Sequence, residues 1–155
     1  MHFKTVDKEI YRTIDANYNR AKEGLRVSED IARFILNDKQ LTKSFKDLRH
    51  SITSALDELD VKQEKLLGSR STGKDVGKKS SLSELNKRNV TEIFFANLQR
   101  AKESLRVLEE FSKLINKKKS IGFKSIRYKI YDLEKKTFKK ISSLSNHRQG
   151  YKGRS

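Results

Sequence analysis

Arginine and asparagine side chains recur in this sequence at positions where packing alone gives no reason for them. Asn17 and Arg20 reappear eighty residues later as Asn97 and Arg100. In both copies they fall on the apolar arc of a helix-patterned segment. Arg49 and Arg127 lie in or beside the apolar stripes of two further segments. A guanidinium inside a helix bundle is costly unless a carboxylate or an anion compensates it. Its planar fork of donors suits phosphate, so the group points to a phosphorylated ligand held in a bundle interior. A purely structural reading stands beside this one, in which the arginines cap facing helices or bridge to Glu23, Glu29, Glu103 or Glu109.

A second candidate lies in the stretch from Gly68 to Ser81, GSRSTGKDVGKKSS. Gly68 to Lys74 has the GxxxxGK spacing of a P-loop, but Asp75 stands where serine or threonine belongs. Helix-patterned residues rather than a strand precede it, so a true P-loop fold is rejected. What survives is that a glycine-rich segment can turn backbone N–H groups toward an anion. Arg70, Thr72 and Lys74 add donors, and Asp75 adds a carboxylate able to hold Mg²⁺. A flexible, solvated linker is the alternative reading of the same composition.

The elements that must position these groups come in two similar halves. Residues 16–35 and 96–115 are identical at eleven of twenty positions, among them Ala21/Ala101, Glu23/Glu103, Leu25/Leu105, Arg26/Arg106 and Glu29/Glu109. A unit present only twice does not make a solenoid, which needs three or more. Apolar periodicity predicts helices over about residues 6–36, through Leu41 to Leu59, through Val90 to Ile115 and through Phe123 to Ile141. The second and fourth also correspond, at an offset of seventy-eight. The expected fold is therefore all-α: a bundle of four main helices made of two helical hairpins by internal duplication. Residues 1–145 form one domain, with halves over about 6–60 and 88–145 and a connector over 61–87. Residues 146–155 read as a basic, disordered tail.

Composition narrows the function classes. The 155 residues contain no proline and no cysteine, which fits a helical domain without disulfides or thiolate chemistry and a reducing, cytoplasmic setting. No signal-like or membrane-spanning apolar run is present. The net charge of +16 is uneven: residues 1–60 hold eleven basic and eleven acidic side chains, whereas residues 91–155 hold seventeen and six. Such a field favours anions: nucleic acid, acidic membrane or phosphorylated metabolite. His2, His50 and His147 are isolated, and no Ser-His-Asp, HExxH or CxxC arrangement occurs.

The string Asp15-Ala16-Asn17-x-x-Arg20-Ala21-x-Glu23-x-Leu25-Arg26-Val27-x-Glu29, its echo from Ala96 to Glu109, and Arg70-x-Thr72-x-x-Asp75-Val76-Gly77 carry a resemblance. Across about residues 8–135 the chain resembles the small helical hydroxymethylpyrimidine phosphate kinases of thiamine biosynthesis, a domain often fused ahead of thiamine phosphate synthase. Lys74 lies outside the family's motif. The resemblance implies phosphoryl transfer from ATP, with Mg²⁺, to hydroxymethylpyrimidine monophosphate, and thiamine phosphate synthase as a partner. It implies Arg20, Arg49 and Arg100 as phosphate clamps inside the bundle, Arg100 catalytic among them. Asn17 and Asn97 would hydrogen-bond the substrate, Arg70 and Thr72 would close over the transferring group, and Asp75 would carry Mg²⁺, with Glu29 and Glu109 in reserve. Two rival readings remain: a nucleic-acid binder using Lys117–Lys119, Lys135, Lys136, Lys139 and Lys140, disfavoured for want of a DNA-reading motif, and a non-catalytic accessory domain.

Overall fold

Capping groups and turn residues cut the chain into helices close to where its periodicity put them. The computed structural model describes residues 2–78 and 89–152, with side chains over 7–78 and 89–144. Helix α1 spans His2–Asp30, and its last turn widens into a π-helical segment, Ile31–Ile35. Asn37 then takes a left-handed φ of 50°, which its short polar side chain tolerates. Asp38 caps α2 (Lys39–Glu58), its carboxylate accepting from the Leu41 N–H at 2.9 Å. A short helix α3 (Gln63–Ser69) and a 3-10 turn (Thr72–Lys74) follow. Asn89 caps α4 (Val90–Ser112) through the Glu92 N–H, and α5 runs from Lys117 to Lys152.

The described residues contain no strand, and the protein is an all-α bundle of four main helices. Two details differ from the sequence reading. Part of the connector is helical, because Leu66 finds a buried seat and Val61 packs against the core. The backbone of residues 146–152 continues α5, in a region assigned by composition to a disordered tail; no proline interrupts it. Of the expected connector, 61–87, residues 79–87 lie outside the described residues.

Side-chain contacts give the directions. Arg49 meets Glu29 and Thr53 meets Lys22, so α2 runs against α1. Arg127 meets Glu109 and Glu134 meets Lys102, so α5 runs against α4. Lys119 beside Glu58 and Gly122 beside Ala55 set α5 against α2. The bundle closes where α1 packs on α4. There Gly24 lies so close to α4 that an added Cβ would stand 2.5 Å from the Asn97 carbonyl oxygen. Phe45, Phe94, Phe123, Ile14, Leu25, Ile52, Leu98, Leu105, Leu108 and Ile130 are fully buried between the four helices.

This packing corrects the expected interior clamp. Arg20 and Arg100 are both exposed, while Ala21 and Ala101 take the inner positions beside them. Helices in such close contact leave no volume for a guanidinium between them. Arg49 is only 16% exposed, but its Nε and Nη2 donate to the two Glu29 carboxylate oxygens at 3.1 and 3.3 Å. Arg127, 12% exposed, donates to Glu109 at 3.1 Å. Burial alone would lower the Arg127 guanidinium's pKa, but Tyr131 and Glu109 outweigh it and the net shift is upward. Glu29 and Glu109 are thus buried partners of arginine, each with a second arginine, Arg26 or Arg106, at longer range. The structural reading of these arginines holds for Arg49 and Arg127.

Two stability outcomes follow. Gly24→Ala gains about 1 kcal/mol of helix propensity, yet the overpacking costs about 1–3 kcal/mol. Thermal unfolding should therefore show a Tm lowered by a few degrees, and a raised Tm would mean that α1 and α4 separate without cost. Arg49→Met and Arg127→Met each leave a buried carboxylate with weaker compensation, and should each cost about 3–5 kcal/mol. Urea midpoints that stay unchanged would contradict the pairing.

Candidate functional site

On the N-terminal half of α1, one flank is roofed by the chain that follows α3. Leu66 anchors α3, and the chain leaves it at Arg70 in an extended conformation. The Arg70 Nε and Nη2 then donate to the two carboxylate oxygens of Asp15 at 2.7 and 3.0 Å. Asp15 is buried, and Asn19 donates to both its backbone carbonyl and its Oδ1 at 2.9 and 3.2 Å. Pairing with Asp15 holds the Arg70 guanidinium above its ordinary pKa. One turn earlier, Arg12 Nη2 donates to the Ser71 carbonyl at 3.2 Å. Two arginines, one from each side, therefore pin residues 70–75 against α1.

The result is a cleft in two connected parts. One part, about 310 Å³, is lined by Arg12, Asp15, Asn19, Glu23, Arg70 and Thr72, among others. The other, about 300 Å³, is lined by Glu9, Arg12, Thr13, Asn17, Arg20 and Asp75, over Ala16. Arg12, Ala16 and Asp75 belong to both. The small side chain of Ala16 leaves a low floor, and the residues on either side of it follow helical spacing: Arg12, Asn19 and Glu23 on one flank, Glu9, Thr13 and Arg20 on the other. A separate open groove of about 310 Å³ runs between α2 and α5, lined by Ser44, Asp47, Ser51, Lys129, Asp132 and Lys136. None of the residues expected from sequence to bind the substrate faces it.

Five of the expected site residues meet in the cleft: Asn17, Arg20, Arg70, Thr72 and Asp75. Arg49, Asn97 and Arg100 do not line it. Asn97 turns its amide back to the Ile93 carbonyl at 2.8 Å, as Asn17 does to Thr13 at 2.9 Å. Arg70, expected to close over a transferring group, is committed to Asp15 as a brace. Asp75 Oδ1 accepts from the Gly77 N–H at 2.9 Å. Gly68 lies inside α3, and Gly73 and Lys74 lie in the 3-10 turn, so the GxxxxGK spacing forms no phosphate-cradling loop after a strand.

Sequence reasoning missed Arg12, Glu9 and Asn19, and used Asp15 only as part of a motif. The available signal was the place where the two halves disagree. At the offset of eighty, Arg12 corresponds to Glu92 and Asp15 to Phe95, so the two α1 residues that bond the roof have no like counterpart in the second half. In the second half Phe95 packs instead on Phe138, ring centroids 5.3 Å apart, on the continuation of α5.

Magnesium fits the cleft in a limited sense. Among the described residues no three His, Cys, Asp or Glu side chains gather closely enough to hold a metal by themselves. Mg²⁺ is commonly held by one or two carboxylates completed by phosphate oxygens, and Asp75 and Glu9 line the same part of the cleft. No helix among the described residues is long and apolar enough to cross a membrane.

Comparison with known proteins gives the family. A protein of Rhodopirellula baltica named thiamine-phosphate synthase is 37% identical over 139 residues, covering 89% of this chain and 36% of its own length. The protein of that name from Nostoc sp. is 37% identical over 132 residues, covering 84% and 36%. That from Prochlorococcus marinus is 40% identical over 129 residues, covering 83% and 35%. The chain thus spans about a third of the length of these relatives. No solved structure matches it. Residues 12–136 match the ThiD2 family, a span that holds all of the cleft except Glu9. The chain belongs to the ThiD2 family, a domain it shares with proteins of thiamine biosynthesis.

Proposed function

We propose that this chain transfers the γ-phosphoryl group of ATP to hydroxymethylpyrimidine monophosphate, in the cleft between α1 and residues 70–75. The observation that carries the reading is the convergence on one cleft of three arginines, Thr72 and Asp75, from two segments far apart in sequence. A phosphate oxygen of the acceptor attacks the γ-phosphorus, the bond to the bridging oxygen breaks, and ADP leaves with the electron pair. The acceptor oxygen is already ionised near neutral pH, so no strong general base is required. Catalysis of this kind rests on positioning and charge neutralisation.

Each residue then has a task. Arg12 and Arg20 hold phosphoryl oxygens, Thr72 donates to the transferring group, and Asn17 hydrogen-bonds the substrate. Asp75, with Glu9 facing the same space, would hold Mg²⁺. When bound, that ion neutralises charge on the phosphates. Asp15 and Arg70 fix the roof so that Thr72 and Asp75 stay over α1. Thiamine-phosphate synthase, the name its relatives carry, is the partner that would consume the diphosphate.

The test is incubation of the pure protein with ATP, Mg²⁺ and the pyrimidine monophosphate, followed by detection of ADP and the diphosphate. Arg20→Ala, at an exposed position, should stay folded and lose turnover about 10²-fold or more. Replacing Lys135, Lys136, Lys139 and Lys140 together should leave turnover within a few-fold, since all four are exposed on α5 away from the cleft. The reverse pattern, with steep salt dependence, would indicate a nucleic-acid binder. Binding without any turnover would favour the accessory-domain reading.

The roof has its own readout. Asp15→Asn weakens the hold on Arg70, so limited proteolysis between residues 70 and 78 should speed up several-fold. ATP and the monophosphate together should slow it in the parent protein. Equal rates in parent and variant would show that the ion pair does not hold the segment.

A further inference from the structure

The two parts of the cleft share Arg12, Ala16 and Asp75 but differ in other polar groups, Arg20 lining one part and Asn19 and Glu23 the other. At the Arg20 end, Arg12 and Arg20 supply guanidinium donors, and neither is in an ion pair with a described carboxylate. Among the described residues, Arg12 spends one Nη2 contact, on the Ser71 carbonyl. At the other end, Asn19 spends its amide nitrogen on two acceptors, the Asp15 carbonyl and Oδ1. Its nitrogen and oxygen are therefore fixed by the network, and only the oxygen is left to face a ligand, as an acceptor. Glu23, four residues on and exposed on the same flank, adds a carboxylate, which is acceptor-only when ionised. Asp15 is not available in the same way, because both its oxygens are engaged by Arg70 and Asn19.

A pair of neighbouring acceptors matches a group that presents two N–H donors and no acceptor, which is the chemistry of an exocyclic amino group on a heteroaromatic ring. A pair of guanidinium groups matches phosphoryl oxygens. We infer that the cleft is bipolar: Asn19 and Glu23 read the amino group of the ligand's ring, and Arg12 and Arg20 hold its phosphoryl end. This rests on the proposed function for the class of ligand, and adds which residues set specificity and which way the ligand lies. Glu23 has an equivalent, Glu103, but the position corresponding to Asn19 is Gln99, whose amide donates to Glu103 at 3.1 Å. Among the described residues, the acceptor pair is therefore open in the first half and closed upon itself in the second.

Isothermal titration of the full chain with three probes tests this: inorganic pyrophosphate, hydroxymethylpyrimidine monophosphate, and the same monophosphate with hydrogen in place of the amino group. The parent should bind the amino compound at least about tenfold more tightly than the des-amino compound, as expected when a charged hydrogen bond is lost. Glu23→Ala should erase that preference by weakening only the amino compound, while pyrophosphate binding stays the same or tightens slightly. Arg20→Ala should weaken all three. A Glu23→Ala variant that binds all three more tightly, or keeps the preference, would show that Glu23 acts only through its charge or not at all, and would overturn the inference. Failure of the parent to bind any of the three would instead overturn the proposed function beneath it. Circular dichroism of each variant, at exposed positions, checks that the fold is intact.

Discussion

Everything in this bundle is arranged around the close contact of α1 with α4. Gly24 brings the two backbones so near that a single methyl group would press on the Asn97 carbonyl. Ala21 and Ala101 are buried in the same seam, and Ser28 and Ser104 extend it. Helices at this separation admit only small side chains between them, since protein interiors are packed without spare volume. The long polar residues of the repeated string must go elsewhere. Arg20 and Arg100 go to the surface, and the cleft beside Arg20 lies outside the four-helix core.

The polar residues that do enter the bundle are neutralised within it. Glu29 with Arg49 and Glu109 with Arg127 join each outer helix to its partner, with Arg26 and Arg106 adding a longer-range positive charge to each carboxylate. Such pairs contribute little net stability against apolar replacements, but removing one partner is expensive. They also fix the register of each hairpin, because a shift of one turn would strand both charges. The recurrence of Arg26, Arg49 and Glu29 as Arg106, Arg127 and Glu109 is thus accounted for by structure, and their role is to set the frame in which α1 meets the connector.

The cleft arises where the two halves part company. After α2 the chain turns at Asp60, whose φ is 57°, and folds back through α3 over α1. After the equivalent point in the second half, α5 simply continues, and Phe138 covers Phe95 where Arg70 covers Asp15 in the first. The same helical scaffold therefore carries an ion pair and an open polar cleft on one side and an aromatic contact on the other.

Much of this was legible in the sequence. Period 3.6 in the apolar residues and the absence of proline determined four long helices, and the eighty-residue echo determined that two hairpins would be built alike. That Asn17, Arg20, Arg70, Thr72 and Asp75 would lie near one another could also be anticipated, from residue types suited to phosphate and from a family resemblance, and all five line one cleft. Tertiary structure alone decided which way the arginines face. A helical wheel places Arg20 on the apolar arc, but whether that arc's edge is core or surface depends on how closely the neighbouring helix approaches, and here Gly24 brings it close. Tertiary structure likewise chose the partners of Arg49 and Arg70, because a carboxylate twenty or fifty-five residues away competes for a guanidinium only once the fold has brought it to 3.1 or 2.7 Å. Periodicity reports the face a residue occupies on its own helix; the distance to the next helix, and to the charge that neutralises it, is a property of the assembled bundle.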